Sequence, residues 1–374
     1  VPIVKGKVEE SYRIAASLPT INFLLEKKAQ VILLAHIGRP GGKVVKELKI
    51  DPVAHVLEKM LKKKVKIIKT DNWSKLEKIE KQISKVKLGT IALCDNVRFA
   101  PAEEENKEYF AKELAAFGDI FVIDGFGVVH RSSPSVTGIA DYIPSYAGLL
   151  LEKEIQGLTQ TLEGGKKNSV LIIGGAKIET KLPVIHNLKN KVEVILVGGG
   201  IVNTYLKSQG FGVGASLVDE GMLAEAKKLK TIHSIEWPVD VVVGKKDGTD
   251  ARVVELSKKP GRICDDDEAI FDIGPRTIQL YSEDIKLANT IIWNGAMGYF
   301  EQKPYDVATL SIARLVASRS KGAAFGAIGG GETIQAMNAT GMEEFVDLVS
   351  TGGGAMLEFL SGNKLPGIEI VTKK

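Results

Sequence analysis

The chain has 374 residues, more than one hydrophobic core usually supports, so we expect two domains. Its composition, with 44% hydrophobic residues and 39 glycines, is typical of an α/β protein with many tight turns. The net charge of +4 is too small to predict a nucleic-acid partner, and no apolar stretch is long enough to span a membrane. The two cysteines, Cys94 and Cys264, lie far apart and lack the spacing of metal ligands. We therefore expect a cytoplasmic protein with neither nucleic acid nor membrane as a partner.

Strands and helices alternate through the N-terminal half. A helical pattern begins at Arg13, and residues 29–35 form an apolar run typical of a buried strand. Asp51 is placed to cap a helix with Pro52 at its first position. Further strands are predicted at 65–68, 90–93 and 120–123, with a helix at 106–117. This alternation predicts a parallel sheet with right-handed crossovers.

Basic side chains accompany these elements. Four arginines lie in loops or at element ends, three of them just beyond a predicted strand: Arg13, Arg39, Arg98 and Arg131. Ligands bind at the carboxyl edge of open α/β sheets, and the donors of arginine suit carboxylate and phosphate oxygens. His36 and His130 stand close to two of these arginines. We interpret this half as the site of a small polyanion, with separate surface arginines as the alternative.

A turn at residues 144–148 precedes a long helical pattern at 149–162. We interpret this helix as the connection between two domains, although periodicity alone fits a surface helix equally well.

The most informative stretch is residues 169–181. The apolar run 169–173 predicts a buried strand, Gly174 and Gly175 allow a sharp turn, and the pattern then becomes helical. A strand, a glycine turn and a helix N-terminus form an anion site. Lys177 and Lys181 are four residues apart, so both ammonium groups could reach one anion. This arrangement predicts phosphate chemistry.

Glycine clusters follow other strands of this half as well. Strands are predicted at 192–197, 239–243, 290–293 and 323–328, with helices at 201–209 and from Ile334, and a polar hairpin or excursion at 248–267. One glycine cluster is a weak signal, because tight turns use glycine anyway. Several on one sheet edge favour a groove in which backbone lies against an extended ligand such as a nucleotide. Residues 350–358 add another glycine turn that leads into a helix.

Several side chains fit a nucleotide, each with an alternative. Glu301 is placed to accept hydrogen bonds from ribose hydroxyls. Glu332 can bind a magnesium ion that bridges phosphates, or it can only stabilise a helix N-terminus. Asn294 either donates to a phosphate or caps a turn. Phe271 and Tyr299 either flank an adenine or belong to the core.

An ordered series of motifs covers essentially the whole chain. They are YRIAASLPT (12–20), LLAHIGRP (33–40), DNVRF (95–99), DGFGVVHR (124–131), LLLEKE (149–154), GGAKIETK (174–181), VGGGIVNTYLKSQG (197–210), DIGP (272–275), WNGAMGYFE (293–301), GGGET (329–333) and STGGGAMLEFLSG (350–362). Together they resemble the phosphoglycerate kinase family, and a series in this order is far more specific than any single glycine motif.

The resemblance implies an α/β fold of two doubly wound parallel-sheet (Rossmann-like) domains joined by a hinge helix. Residues 1–148 would bind phosphoglycerate, with 351–374 packing back onto them. Residues 149–162 would form the interdomain helix, and 163–350 would bind the nucleotide. The implied reaction is reversible transfer of the acyl phosphate of 1,3-bisphosphoglycerate to ADP, giving 3-phosphoglycerate and ATP. It implies a monomer that needs Mg²⁺ and closes by hinge bending.

The resemblance also implies roles for individual residues. Those that would hold phosphoglycerate are Arg13, His36, Ile37, Gly38, Arg39, Arg98 and Arg131. Those that would hold the nucleotide are Gly175, Lys181, Gly199, Gly200, Phe271, Asn294, Tyr299, Glu301, Gly330, Gly331, Glu332 and Thr333. Lys177, Arg13 and the amides near Gly353 would stabilise the phosphoryl group in transit, and Glu332 would bind Mg²⁺.

Some positions depart from the family pattern. Glu332, Ala296, Ile270 and Thr180 stand where the family has aspartate, proline, glycine and aspartate. An aspartate and an asparagine of the family lie before the dipeptide that is Val1-Pro2 here, so we expect a segment before Val1. A catalytically silent nucleotide-binding or scaffold protein is the alternative, followed by a phosphotransferase for another small molecule.

Overall fold

The computed structural model describes residues 1–71 and 73–372, which form two compact units. The first runs from Val1 to Glu154 and includes the C-terminal residues from Lys364, and the second is Ile155–Asn363. The boundary lies within the helix Leu149–Glu163, in the stretch predicted to join two domains.

The prediction that residues 351–374 pack together on the first domain is wrong for 351–363. These residues belong to the second unit, where Asn187 Nδ2 donates to Leu360 O at 2.6 Å. The segment from Lys364 belongs to the first unit, where the amide of Gly367 donates to Val129 O at 2.8 Å.

The strands of the first unit are Ile3–Val4 (β1), Lys7–Val8 (β2), Val31–Leu33 (β3), Val65–Ile68 (β4), Ile91–Cys94 (β5), Phe121–Ile123 (β6) and Ser145–Ala147 (β7). The helices of this unit that precede residue 149 are Tyr12–Glu26 (α1), Asp51–Leu61 (α2), Leu76–Ile83 (α3), Pro101–Glu104 (α4) and Glu108–Ala115 (α5). Leu149–Glu163 (α6) crosses into the second unit.

The strands of the second unit are Ser169–Ile173 (β8), Val194–Val197 (β9), Ile235–Glu236 (β10), Asp240–Gly244 (β11), Arg252–Glu255 (β12), Ala269–Ile273 (β13), Thr290–Asn294 (β14), Phe325–Gly329 (β15) and Leu348–Ser350 (β16). Its helices are Leu182–Leu188 (α7), Gly199–Ser208 (α8), Leu223–Lys228 (α9), Pro275–Leu287 (α10), Val307–Ser320 (α11), Gly331–Thr340 (α12) and Gly353–Leu360 (α13). Pro366–Thr372 (α14) returns to the first unit. Every helix within the described residues is too short or too polar to cross a lipid bilayer.

A parallel sheet with the strand order β10-β9-β8-β14-β15-β16 organises the second unit. The chain enters at β8 in the middle, extends the sheet on one side through β9 and β10, and later extends it on the other side from β14. The order therefore reverses between β8 and β14, which pair with Ile173 opposite Asn294. Open α/β sheets bind ligands at the carboxyl ends of strands on either side of such a reversal. The fold class predicted for this unit is confirmed.

The strand predicted at 239–243 forms, but it does not join this sheet. As β11 it pairs antiparallel with both β12 and β13 in a separate sheet. In the range predicted as a polar hairpin or excursion, 248–267, residues Arg252–Glu255 form β12, whose partner β11 precedes that range. A local pattern predicts a strand without predicting its partner, because pairing depends on residues distant in the sequence.

The first unit also contains parallel sheets, as predicted, with the order β3-β5-β4 in one and a β6-β7 pair in another. The loops that carry Arg39, Arg98 and Arg131 follow β3, β5 and β6. The prediction that Asp51 caps α2 is wrong, because Ile50 occupies the cap position and Asp51 lies in the first turn. The carboxylate of Asp95 accepts the Ile50 amide at 3.2 Å, so a side chain from the loop after β5 stabilises this helix start.

Candidate active site

The loops that follow β8 and β14 lie against each other where the strand order reverses. The amide of Gly174 donates to Asn294 O at 3.1 Å, and that of Gly175 donates to Ala296 O at 2.7 Å. Gly295 has a φ of +98°, and a Cβ atom there would lie 2.3 Å from Gly174 O. Only glycine satisfies both conditions. The two loops therefore form one continuous surface of backbone.

The start of α8 completes this surface from the loop after β9. The amide of Gly199 donates to Met297 O at 2.7 Å, and that of Gly200 donates to Gly175 O at 3.0 Å. Because α8 begins at Gly199, the positive end of its dipole lies at these loops. The structure thus brings Gly175, Gly199 and Gly200 together, as predicted. We use the name glycine cradle for residues 174–175, 198–200 and 295–298.

A cavity of about 560 Å³ opens beside the glycine cradle, a size typical of small-molecule sites. The predicted nucleotide residues that line it are Gly175, Gly199, Gly200, Phe271, Tyr299, Glu301 and Glu332. The ring centroids of Phe271 and Tyr299 lie 5.8 Å apart. Both rings line the cavity, as does the side chain of Ile270.

Lys181 is buried next to this cavity, with only 8% of its surface exposed. Its ammonium group donates to Oδ1 of Asn294, which is itself buried. Burial lowers the pKa of Lys181 to about 8, while the carboxylate of Glu332 acts in the opposite direction. An ammonium group has three N–H donors, and the bond to Asn294 uses one. The arrangement therefore suits an anionic ligand.

A helix follows the glycine turn, as predicted, but not directly. The helix α7 begins only at Leu182 with Pro183 in its first turn, a position that proline favours because it lacks an N–H. Residues 174–181 lie before this helix, with Lys177 exposed and Lys181 buried. The two lysines therefore do not share a helix face.

Two further helices begin beside Asn294. A Cβ atom on Gly330, the cap residue of α12, would lie 3.4 Å from the Asn294 amide group. In the first turn of α12, the hydroxyl of Thr333 accepts the Gly295 amide at 2.7 Å. The helix α13 begins at Gly353, where a Cβ atom would lie 3.4 Å from the Cα of Gly330. The turn from Gly330 to Thr333 and the helix start at Gly353 thus lie next to each other.

In the first unit, Arg98 and the loop after β3 are in contact. Nη1 of Arg98 donates to Gly38 O at 2.8 Å, and its Nε lies 3.6 Å from Glu104 Oε1. Asn96 Nδ2 donates to Ile37 O at 2.8 Å and its Oδ1 accepts the Arg98 amide at 3.1 Å. The structure therefore brings Ile37, Gly38 and Arg98 together.

His36 connects this group to the loop after β6. Burial lowers the pKa of His36 to about 4, and the positive charges of Arg98 and His130 act in the same direction. Nε of Arg131 donates to His130 Nε2 at 3.2 Å. His36, Arg98, His130 and Arg131 therefore form a basic cluster in which His36 is neutral at pH 7. This neutral imidazole can bind an anion by hydrogen bonding rather than by charge.

Arg13 and Arg39 are the remaining two residues predicted for this site. Arg13 lies at the start of α1, with its guanidinium carbon 4.7 Å from the Tyr12 ring centroid. Arg39 is exposed, next to Gly38. Their part in the site stays a prediction.

The chain matches the family model of phosphoglycerate kinase over residues 1–363. It is 41% identical over 381 aligned positions to the phosphoglycerate kinase of Francisella philomiragia, covering all of this chain and 93% of that protein. The chain belongs to the phosphoglycerate kinase family. A Moorella thermoacetica phosphoglycerate kinase is 40% identical, with 100% and 94% of the two chains covered.

Solved structures agree with this family. The phosphoglycerate kinase structure from Coxiella burnetii superposes with a TM-score of 0.82 at 38% identity, over 100% of this chain and 93% of that one. The structure from Pyrococcus horikoshii gives 0.84 at 31% identity, over 99% and 93%. The chain is accordingly a kinase that uses phosphoglycerate and ATP or ADP. No observation favours the catalytically silent alternative.

Some residues that organise the phosphoglycerate kinase site were not predicted. Asp95 and Asn96 are buried and tie the loops after β3 and β5 to the start of α2. Their signal is a pair of polar residues immediately after an apolar strand. The pattern shows that they stand at the sheet edge, but it does not show which backbone groups they bind.

Proposed function

We propose that the second unit binds ATP or ADP at the glycine cradle and that the first binds phosphoglycerate at the basic cluster. Phosphoryl transfer then runs reversibly between 1,3-bisphosphoglycerate and ADP. The observation that carries this proposal is the glycine cradle beside a buried lysine, where the strand order reverses. Phosphate oxygens need N–H donors, positive charge and room for a close approach. The glycines leave the room, Lys181 supplies the charge, and the N–H donors come from Lys181 and from the helix starts at Gly330 and Gly353.

Within the second unit, the proposed roles follow from position. Gly175, Gly199 and Gly200 approach the nucleotide with their backbone, and Lys181 and Asn294 face its phosphates. Phe271 and Tyr299 line the base end of the cavity, and Glu301 accepts hydrogen bonds from the ribose. The turn Gly330–Thr333 and the helix start at Gly353 donate amides to phosphate oxygens.

Glu332 is the carboxylate that we propose for Mg²⁺. It lines the cavity, and a Cβ atom on Gly175 would lie 3.2 Å from its Oε2. The described residues contain no group of three or more acidic, histidine or cysteine side chains that could hold a metal ion. Mg²⁺ commonly takes one or two carboxylates and completes its shell with substrate phosphates and water, so Glu332 fits it. Bound Mg²⁺ would offset the negative charge of the phosphates.

In the first unit, Arg98, Arg131, Arg39 and Arg13 supply the charge for phosphoglycerate, and His36 supplies a neutral hydrogen-bonding group. Arg13 and Lys177 are proposed to stabilise the transferring phosphoryl group, since such transfer depends on alignment and on positive charge around the equatorial oxygens. The monomeric state, the cytoplasmic location and the lack of nucleic-acid and membrane partners stay predictions from sequence.

A coupled assay with 3-phosphoglycerate and Mg-ATP tests the proposal. We expect turnover in the unaltered chain, and Lys177→Ala to lower kcat by at least about 100-fold with little change in nucleotide KM. Lys166→Ala is the matched control, because Lys166 is also exposed but precedes β8 at its opposite end. Normal turnover in Lys177→Ala would remove Lys177 from the mechanism. Nucleotide binding without any use of 3-phosphoglycerate would contradict the function itself.

A further inference from the structure

The loop after β14 is held from two sides. On the cavity side, its carbonyl groups at Ala296 and Met297 accept the amides of Gly175 and Gly199, both at 2.7 Å. On the other side, its own amides at Met297 and Gly298 donate to one atom, the hydroxyl oxygen of Thr309, at 3.1 and 3.3 Å. One buried hydroxyl therefore fixes the strip of backbone that shapes the glycine cradle.

Thr309 is itself held firmly. It lies in the first turn of α11 and has no exposed surface. The preceding residue, Ala308, donates its amide to Asp272 Oδ2 at 3.0 Å, and Asp272 lies on β13 and lines the cavity. The Tyr299 amide donates to Phe271 O at 2.7 Å, so the end of the loop is fixed to the same strand.

We propose that Thr309 is a positioning residue for the nucleotide. It acts through the amides of Met297 and Gly298 and touches no substrate. If the hydroxyl is lost, a buried N–H group at Met297 and a partly buried one at Gly298 lose their acceptor, and the loop must shift to find another. The carbonyl groups at Ala296 and Met297 then move relative to Gly175 and Gly199. This inference rests on the proposed binding of nucleotide at the glycine cradle.

The chain contains a matched control in Thr277. This residue lies in the first turn of α10, has no exposed surface, and accepts two amides, those of Val239 and Asp240, at 3.0 and 3.2 Å. Thr277 therefore has the same burial as Thr309 and also accepts two amides, although its hydroxyl in addition donates to Asp240 Oδ1 at 2.6 Å. The amides that it holds lie outside the glycine cradle.

The test compares Thr309→Val, Thr309→Ser and Thr277→Val by KM for ATP, KM for 3-phosphoglycerate and thermal midpoint. Valine keeps the shape and removes the hydroxyl, whereas serine keeps the hydroxyl. We expect Thr309→Val to raise the ATP KM about tenfold and to change the phosphoglycerate KM less than about twofold. Thr309→Ser and Thr277→Val should lose stability while keeping the ATP KM near its normal value.

A normal ATP KM in folded Thr309→Val would overturn the inference, as would an equal rise in Thr277→Val. If Thr309→Val does not fold, Thr309→Ser and Thr309→Ala provide the comparison. A higher ATP KM in alanine than in serine supports the inference, and equal values overturn it. Lys181→Met distinguishes a failure of the proposed nucleotide site from a failure of the proposed role of Thr309. If it also leaves the ATP KM unchanged, the nucleotide site is misassigned; if it alone raises the ATP KM, only the role of Thr309 fails.

Discussion

The buried ammonium of Lys181 makes nucleotide binding depend on pH. Burial lowers the pKa of Lys181 from 10.5 to about 8, which corresponds to roughly 3 kcal/mol against the charged form. At pH 9, about nine in ten free enzyme molecules therefore hold a neutral amine. Because nucleotide phosphates favour the ammonium form, kcat/KM for ATP should fall about tenfold for each pH unit above 8.

The assay is kcat/KM for Mg-ATP from pH 6 to pH 10, with 3-phosphoglycerate saturating. Arginine stays charged throughout this range, so Lys181→Arg should lack the decline above pH 8, and Lys181→Met should be low and flat. The stability of the folded protein should change in the opposite direction and rise with pH. The unfolded chain binds the proton more tightly between pH 8 and 10.5, so the penalty for burying the ammonium is relieved as pH rises through that window. The same decline in wild type and Lys181→Arg would refute the reasoning.

Three further predictions concern the neighbours of these groups. Glu332→Gln should move the decline in kcat/KM for ATP to lower pH, because Glu332 raises the pKa of Lys181; an unmoved decline would show that the two do not interact. The pKa of His36 is about 4 when folded and 6.5 in the free side chain, so stability should fall as pH drops from 6.5 to 4. Between pH 7 and pH 4.5, the free energy of unfolding measured in urea should fall by roughly 2 kcal/mol less in His36→Asn than in the unaltered protein. An equal fall in the two proteins would contradict the lowered pKa of His36. Arg98→Gln should raise the KM for 3-phosphoglycerate at least about tenfold and leave that for ATP unchanged, with exposed Arg314→Gln as the control; a rise in both KM values would contradict the division of substrates.

Local sequence patterns predicted the bounds of some short strands accurately. The strands at 65–68 and 169–173 have the predicted bounds, and both are short and mostly apolar. Bounds were less accurate where glycine decides them, as at Gly199, which begins α8 ahead of the predicted start at 201. The separate antiparallel sheet of β11 was missed, since its register depends on residues far along the chain.

The sequence predicted a set of candidate site residues, but it did not predict their burial or their hydrogen-bond partners. The glycine positions could be found because a strand followed by glycines is a local signal. The burial of Lys181 could not, since lysine is rarely buried and nothing in its neighbours predicts the amide of Asn294 beside it. The hydrogen-bonding roles of Asp95, Asn96 and Thr309 were not predicted for the same reason, because their partners lie on other elements.

The most direct measurement is a crystal structure of the protein with 3-phosphoglycerate and a non-hydrolysable ATP analogue. We predict nucleotide phosphates at Gly175, Gly199 and Lys181, and the phosphoglycerate anion at Arg98 and Arg131. A nucleotide bound at the basic cluster, or a phosphoglycerate bound at the glycine cradle, would contradict the assignment of one substrate to each unit.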